Sequence, residues 1–482
     1  MTVAAGAAAE LQVAAAAAAQ PRWAASDRAA ALRRLTALVL DRADAIADTV
    51  VAETRKPRVE AFTSELFPAL DTLAWLRRNA PKLLAPERVR FAQPHLLHKR
   101  GRLRYEPLGV VGVISPWNFP FAIPFTQAAF AVAAGNAVVL KPSELTPRSG
   151  ALVAELFAEV GAPVELLQGD GEAGAALVEA PGLAKLIFTG SVEVGRQVAA
   201  AAGERLLPVT LELGGKDPML VLDDADLARA VGGALWASYT NCGQVCSGVE
   251  RIYIEGSLYE PFVEELVRRT RALRLGDELG PLISEDQRER VAALVDDARA
   301  RGAQVLTGGC APERAGWFYE ATVLAGVPAD ARIRHEEIFG PVVTVDRVPD
   351  ERAAVRAAND GRFGLGASVW TRDAARAGAV AAKLRAGTVW HNDHAYSYAT
   401  AQAPWGGRGD SGFGRTHSKH GLYDLTAVKF VDRDGGRLGV PWWFPYDEGG
   451  AEAFRGVLRG LYGRALWSER RALLALAKRY RR

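Results

Sequence analysis

Short runs of Val, Ile and Leu alternate with alanine-rich stretches of helical period along most of this chain, the rhythm of a parallel sheet covered on both faces. "GVVGVI" (109–114), "AVVLKP" (137–142), "VELLQG" (164–169), "KLIFTG" (185–190) and "MLVL" (219–222) are the predicted strands of a first series. Each gives way at its C-terminal end to polar or Gly/Pro residues, where open α/β sheets bind ligands. A second series, "RIYIEG", "AQVLTGG" and "PVVTVDRV", begins after Arg251 and predicts another α/β domain. From Trp23 to Thr54, Leu32, Leu35, Leu38, Ile46 and Val50 recur at helical spacing with Arg and Asp opposite them. The alanine-rich stretch before Trp23 also reads as helix, since it lacks the basic start and leucine-dense core of a secretory signal. No apolar run reaches the roughly 20 residues needed to span a bilayer.

Composition narrows the function classes. A chain of 482 residues that is 49% hydrophobic can bury cores in two or three domains. Three cysteines cannot build a disulfide framework, so a reducing cytoplasm is the expected compartment. A formal net charge of +3 is small for this length and gives no reason to expect nucleic acid as a partner. The exception is the C-terminus, where "FRGVLRGLYGRALWSERRALLALAKRYRR" sets Phe454, Leu458, Leu461, Leu466 and Trp467 against a basic face. Such a helix either packs on the protein or on a partner subunit, or lies on an anionic membrane surface through 453–482.

The turns carry the candidate chemistry. In "FTGSVEVGR" (188–196), Gly190 and Gly195 bracket a strand-to-helix turn whose backbone N–H groups suit a phosphate or simply make a tight turn. "VLKPSE" (139–144) ends a strand in Lys141 and Glu144, a donor and an acceptor suited to ribose hydroxyls or to a solvated loop. In "LELGGKD" (211–217), Glu212 sits between leucines just before a glycine pair, surroundings that desolvate an acid and raise its pKa as a general base requires. A capping or salt-bridged glutamate is the alternative. In "GQVCSG", nearby glycines free the backbone on both sides of Cys246, which is either a nucleophile or core filler. Cys242 and Cys246 have no neighbouring His or second cysteine pair and Cys310 stands alone, so no metal site is expected.

"PWNFP" (116–120), "KPSE", "FTGS", "ELGGK", "GQVCSG" and "EEIFGPV" (336–342) occur in this order in one chain. Together they resemble the aldehyde dehydrogenase superfamily, from about Ala14 to about Asp432. The resemblance implies a Rossmann-like parallel-sheet cofactor domain (1–92 and 108–213), a second α/β catalytic domain (214–415), a small β oligomerisation element (93–107 and 416–435) and a basic C-terminal extension (436–482). It also implies that Cys246 attacks the aldehyde carbon, with the Asn118 amide and the Cys246 N–H holding the oxyanion. Hydride would pass to the nicotinamide, and Glu212 would activate the water that releases the acid from a thioester.

The same resemblance assigns Lys141 and Glu144 to the adenine-side ribose of NAD, and Gly190, Ser191 and Gly195 to the pyrophosphate. Glu337 would hold the nicotinamide-side ribose and Phe339 pack on the ring, with Pro116, Trp117, Ser143 and Leu213 as further cofactor contacts. Glu144 accepts from a free 2′-hydroxyl and repels a 2′-phosphate, which favours NAD, although NADP use occurs among relatives with this glutamate. A homodimer or homotetramer follows from "HLLHKRGRLRYEPLGV" (95–110) and "TAVKFVDR" (426–433), which resemble the family's subunit-pairing hairpin and strand. The absence of a hairpin before the helix near Trp23, with the extension after Asp432, resembles the branch acting on fatty and aromatic aldehydes. The entrance loop "WHNDHAYSYATAQAPWGG" (390–407) carries His394, Tyr396, Tyr398 and Trp405, aromatic walls suited to an apolar aldehyde. A coenzyme A-acylating dehydrogenase, which would generally lack Glu212, and a non-enzymatic structural relative, which need not keep Cys246, Asn118 and Glu212, are the alternatives.

Overall fold

The computed structural model describes residues 3–479 apart from 94, 95, 97, 436–439, 441, 447, 464–466 and 468. In chain order the strands are β1 (Glu87–Val89), β2 (Arg100–Pro107), β3 (Val110–Ile114), β4 (Ala137–Lys141), β5 (Val164–Leu166), β6 (Leu183–Thr189), β7 (Val209–Glu212) and β8 (Asp217–Val221). They continue with β9 (Val249–Glu255), β10 (Gln304–Thr307), β11 (Thr322–Ala325), β12 (Val342–Val348), β13 (Gly366–Trp370), β14 (Thr388–His391), β15 (Gly412–Phe413) and β16 (Thr426–Arg433). Every residue of β3, β4, β8 and β9 is buried; β3 and all but one end residue of β4 and β8 read as unbroken apolar runs, whereas β9 carries Glu250 and Arg251 into the interior.

One compact unit, Met1–Leu84 with Glu106–Ala427, holds two sheets. The first runs β15-β7-β6-β3-β4-β5 and is parallel except where β15 adds antiparallel to β7. The second runs β10-β11-β12-β9-β8-β13-β14, parallel except for β10 on β11. Strand 219–222, read above with the first series, therefore belongs to the second sheet: β8 pairs with β9 and β13. Only Leu213–Lys216 separate the last strand of the first parallel run from the first strand of the second sheet.

Helices cover the sheets with the faces that their periodicity predicts. The 23–54 stretch forms two helices, Ala25–Asp41 and Ala43–Thr54, broken at Arg42. Leu32, Leu35, Ile46 and Val50 enter the core and Leu38 is half-buried against it. The N-terminal helix Val3–Ala19 buries Ala9, Val13 and Ala16 among residues of the first sheet and its helices.

The second unit, Ala85–Tyr105 with Val428–Arg482, contains most of the three-stranded sheet β1-β2-β16 and a helical hairpin. The single amphipathic helix expected at the C-terminus is instead two helices, Glu448–Tyr462 and Arg470–Arg479. Their seam uses small residues: Ala453, Gly456 and Gly460 are buried, and a Cβ on Gly456 would stand 2.2 Å from Cβ of Ala472. Phe454 and Leu461 are only partly covered, while Leu458 and Trp467 are exposed, so the predicted apolar stripe is not the packed face. His95, Leu97 and Leu466 lie outside the described residues. No helix among the described residues is long and apolar enough to cross a membrane.

Candidate active site

Cys246 follows a turn, Thr240–Gly243, in which Asn241, Cys242 and Gly243 are all left-handed, with φ of 51°, 56° and 69°. Such a run is unfavourable for side-chain-bearing residues and must be held from outside. Glu60 does part of this, its carboxylate accepting from the Asn241 N–H at 3.0 and 3.1 Å and from Thr240 Oγ1 at 3.1 Å. The Asn241 amide donates to the Asn118 and Gln244 carbonyls at 3.0 and 3.2 Å. At Gly243 a Cβ would stand 2.1 Å from the Gly340 carbonyl oxygen, so only glycine fits. Cys242 is thus not one helical turn before Cys246. It is buried in the core of the second sheet, where burial and the nearby Glu60 push its thiol up.

Asn118 sits between β3 and the helix Ala122–Ala134, and a buried ion pair fixes it. Lys56 Nζ donates to the Asn118 carbonyl and to Glu65 Oε1, both at 2.8 Å. Glu65 Oε2 in turn accepts from the N–H groups of Phe121 and Ala122 at 3.1 and 2.7 Å, at the start of that helix, where a carboxylate is favoured. One N–H of the Asn118 side chain donates to the Gln244 carbonyl at 3.0 Å, and the amide has a second to offer.

Glu212 ends β7, beside the edge strand β15. Both of its carboxylate oxygens are buried without a hydrogen-bond partner among the described residues. Burial pushes its carboxyl well above the usual carboxylate range, with Arg415 pulling the other way. The next two residues are glycines for steric reasons: a Cβ on Gly214 would strike Glu337 Oε2 at 2.3 Å, and one on Gly215 the Cys246 carbonyl oxygen at 2.2 Å. Glu337 accepts from the Gly215 N–H at 2.9 Å, and burial pushes its carboxyl up to about 8. Behind it, Lys216 Nζ donates to Glu250 at 2.6 Å, and Glu250 accepts from the Ile338 and Phe339 N–H groups at 2.7 and 3.1 Å. That pair sets the loop that brings Phe339 edge-on to Trp117, ring centroids 5.5 Å apart. Burial, and then the carboxyls of Glu337, Asp217 and Glu212, push the Cys246 thiol up, while the Ser247 N–H pulls it down.

Asn118, Glu212, Leu213, Cys246, Glu337 and Phe339 line one cleft of about 710 Å³. Lys141, Ser143 and Glu144 line a second of about 1180 Å³, and Pro116, Trp117, Gly190 and Ser191 line both. Lys141 Nζ donates to Glu144 at 3.2 Å. Ser191 caps the helix Val192–Glu204, its Oγ accepting from the Val194 N–H at 3.3 Å. Gly195 departs from expectation: it lines neither cleft, and a Cβ there would stand 2.4 Å from Leu213 Cδ2, so it is the seat of Leu213.

The entrance loop also divides. Tyr398 stacks on Phe119 at 5.1 Å and, with Trp390, Trp405 and Leu365, packs around Cys246. Tyr396 is exposed, and His394 is buried and turned to the Ser247 carbonyl rather than forming a wall. Among the described residues no group of acidic, His or Cys side chains could hold a metal ion. Lys56, Glu60, Glu65, Lys216 and Glu250 escaped the sequence reading, because a charged residue reveals its burial only through a partner distant in the chain. The one local signal was Lys56 between the helix that ends at Thr54 and Pro57.

A family model described as the aldehyde dehydrogenase family matches residues 1–431, so the likeness begins well before Ala14. A betaine aldehyde dehydrogenase of Rhizobium leguminosarum is 38% identical over 90% of this chain and 91% of its own. A 4,4'-diapolycopene aldehyde oxidase of Methylomonas is 38% identical over 91% and 83%. The structure of an aldehyde dehydrogenase from Bacillus cereus in complex with NAD+ superposes with a TM-score of 0.84 at 35% identity, covering 88% of each chain.

Proposed function

The chain belongs to the aldehyde dehydrogenase family, a family of oxidoreductases, and on that premise we propose that it oxidises an apolar aldehyde to the carboxylic acid with NAD. The observation that carries this reading is the convergence of Cys246, Asn118 and Glu212 on one cleft. The Cys246 sulfur adds to the aldehyde carbon and gives up its proton to a base, for which Glu212 is the acceptor in the same cleft. The second N–H of the Asn118 amide and the Cys246 N–H meet the oxyanion, and neither needs to reorganise. NAD, when bound, accepts the hydride that leaves as the adduct becomes a thioester on Cys246. Glu212 passes that first proton to solvent, takes a second from the attacking water, and hands it to the sulfur as the acid departs.

The two adjoining clefts fit such a cofactor. Glu144 offers a half-exposed carboxylate to a ribose, Ser191 opens a 13-residue helix towards phosphates, and Glu337 faces the Cys246 end. NADP would set its extra phosphate against Glu144.

Phe119, Ile123, Tyr398, Val245, Trp390 and Trp405 form the apolar surroundings of Cys246, and the Lys56–Glu65 pair beside Phe119 is closed on itself. Such walls suit an aliphatic or aromatic aldehyde. Across straight-chain aldehydes, kcat/KM for NADH release is expected to rise about fourfold per methylene, the equivalent of about 0.8 kcal/mol, until the cleft is filled. Betaine aldehyde turned over as well as a medium-chain aldehyde would sink the apolar assignment.

We further infer a cytoplasmic homo-oligomer whose C-terminal hairpin rests on an anionic membrane surface. The hairpin seam uses up the small residues and leaves Leu458, Tyr462, Trp467 and Leu474 exposed among arginines. Deleting 450–482 is expected to abolish co-sedimentation with phosphatidylglycerol vesicles while leaving turnover of a soluble aldehyde unchanged. A change of oligomeric state in place of vesicle release would assign the hairpin to a partner subunit instead.

A further inference from the structure

Asn118 follows a strand of the first sheet and Cys246 precedes a strand of the second, and the side chain of Asn241 stitches their loops together. Asn118, Asn241 and Gln244 are all buried. Asn241 Nδ2 uses both of its N–H groups, donating to the Asn118 carbonyl at 3.0 Å and to the Gln244 carbonyl at 3.2 Å. The Gln244 carbonyl is also the oxygen that accepts from the Asn118 side chain, at 3.0 Å. A ring of hydrogen bonds thus closes through Asn118 itself: from its side-chain N–H to Gln244, on to Asn241, and back to its own main-chain carbonyl. Carbonyl oxygens only accept, so the nitrogen ends of both amides must face them.

The terminal torsion of a free asparagine is broad and roughly two-fold. A half-turn of Asn118 would set its oxygen where the second N–H is needed, and repel an oxyanion. We propose that Asn241 is a positioning residue for the oxyanion donor: it ties the Asn118 side chain to the Asn118 main chain and so keeps the second N–H on the cleft. This rests on Asn118 being the oxyanion donor of the proposed reaction. The residue type suits the place, since Asn241 is left-handed with φ of 51° and asparagine tolerates that region better than most. Lys56, the other donor to the Asn118 carbonyl, holds the main chain without touching the acceptor of the side chain. Removing the Asn241 amide orphans neither carbonyl: Asn118 keeps Lys56 Nζ at 2.8 Å, and Gln244 keeps the Asn118 amide. Gln244 also stays anchored, because its N–H and its Nε2 both donate to the Asn241 main-chain carbonyl at 3.1 Å. Asn241→Gly, which favours the left-handed turn, is therefore expected to fold.

The test is a double-mutant comparison in the full-length enzyme, read as the rate of the first NADH formed per subunit. Asn118→Ala is expected to slow that first turnover by about 10² to 10³, as loss of an oxyanion donor does. Asn241→Gly is expected to slow it by at least about tenfold, while NAD affinity and the rate at which iodoacetamide alkylates Cys246 stay within about twofold of wild type. Made in Asn118→Ala, the same change is expected to add less than about twofold, because the group it positions is gone. Asn241→Ala, which lacks the amide but keeps the Cβ, is expected to match Asn241→Gly. Losses that multiply in the double variant, or alkylation that slows along with the first turnover, would overturn the proposal, since Asn241 would then act on the nucleophile turn or the fold at large. A first turnover at the wild-type rate in either Asn241 variant would overturn it too. An undiminished first turnover in Asn118→Ala would overturn the oxyanion assignment instead, and so separates the two failures.

Discussion

Glu212→Gln is expected to yield a single burst of NADH, at most one per subunit, and then almost stop. Glutamine preserves the shape of a residue whose two oxygens have no partner among the described residues, so the fold gives no reason for collapse. What is lost is proton acceptance, which as general base catalysis is worth about 10² to 10⁴ in rate. The burst survives if a hydroxide or solvent base can take the Cys246 proton, whereas thioester hydrolysis loses the carboxylate assigned to its water, the cleft's other carboxyl, Glu337, being bonded to the Gly215 N–H. The pH dependence follows from burial. Glu212 holds its proton well above the usual carboxylate range and works only after losing it, so the wild-type steady-state rate is expected to climb as pH rises through that raised pKa. A Glu212→Gln enzyme with undiminished steady-state turnover would remove the residue from the reaction. A steady rate restored only by added coenzyme A would point to acyl transfer rather than hydrolysis.

Cys246→Ser is expected to lose turnover by at least about 10⁴-fold, burst included, because removal of a nucleophile removes the covalent path itself. Serine keeps the size of the side chain but not the acidity or polarisability of sulfur, and three buried carboxyls face this position. Quench-flow measurement of NADH at enzyme concentrations near that of NAD resolves the burst directly. Cys242→Ala serves as the internal contrast: its thiol lies in the core, so a modest loss of stability with most of the activity kept is expected. A protein that binds NAD but gives no burst even as wild type would be the non-enzymatic relative.

Much of this was legible in the residues. The strands at 110–114, 137–141 and 183–189 announce themselves because strands covered on both faces are mostly apolar, even with Lys141 and Lys185 in two of them, and the turns after them because glycine, proline and charge interrupt the run. Every site residue that the ordered motifs named lines one of the two clefts except Gly195, whose glycine answers to Leu213. Strands such as Thr322–Ala325, Gly366–Trp370 and Thr388–His391 were not legible. They are four or five residues long and owe their state to neighbours far away in the chain. The supports of the site were hidden for the same reason. Lys56 meets Asn118 across 62 positions, and Glu250 meets Ile338 across 88, pairings that no local pattern contains.

The short connection from Glu212 to Asp217 has one more implication. The base ends one sheet and the thiol is carried ahead of β9 in the other, so the distance between them is a property of how the sheets are seated, not of any single loop. Catalysis is then a gauge of that seating. In gradually rising urea, turnover is expected to be lost while the circular dichroism signal is still full, and to return on dilution.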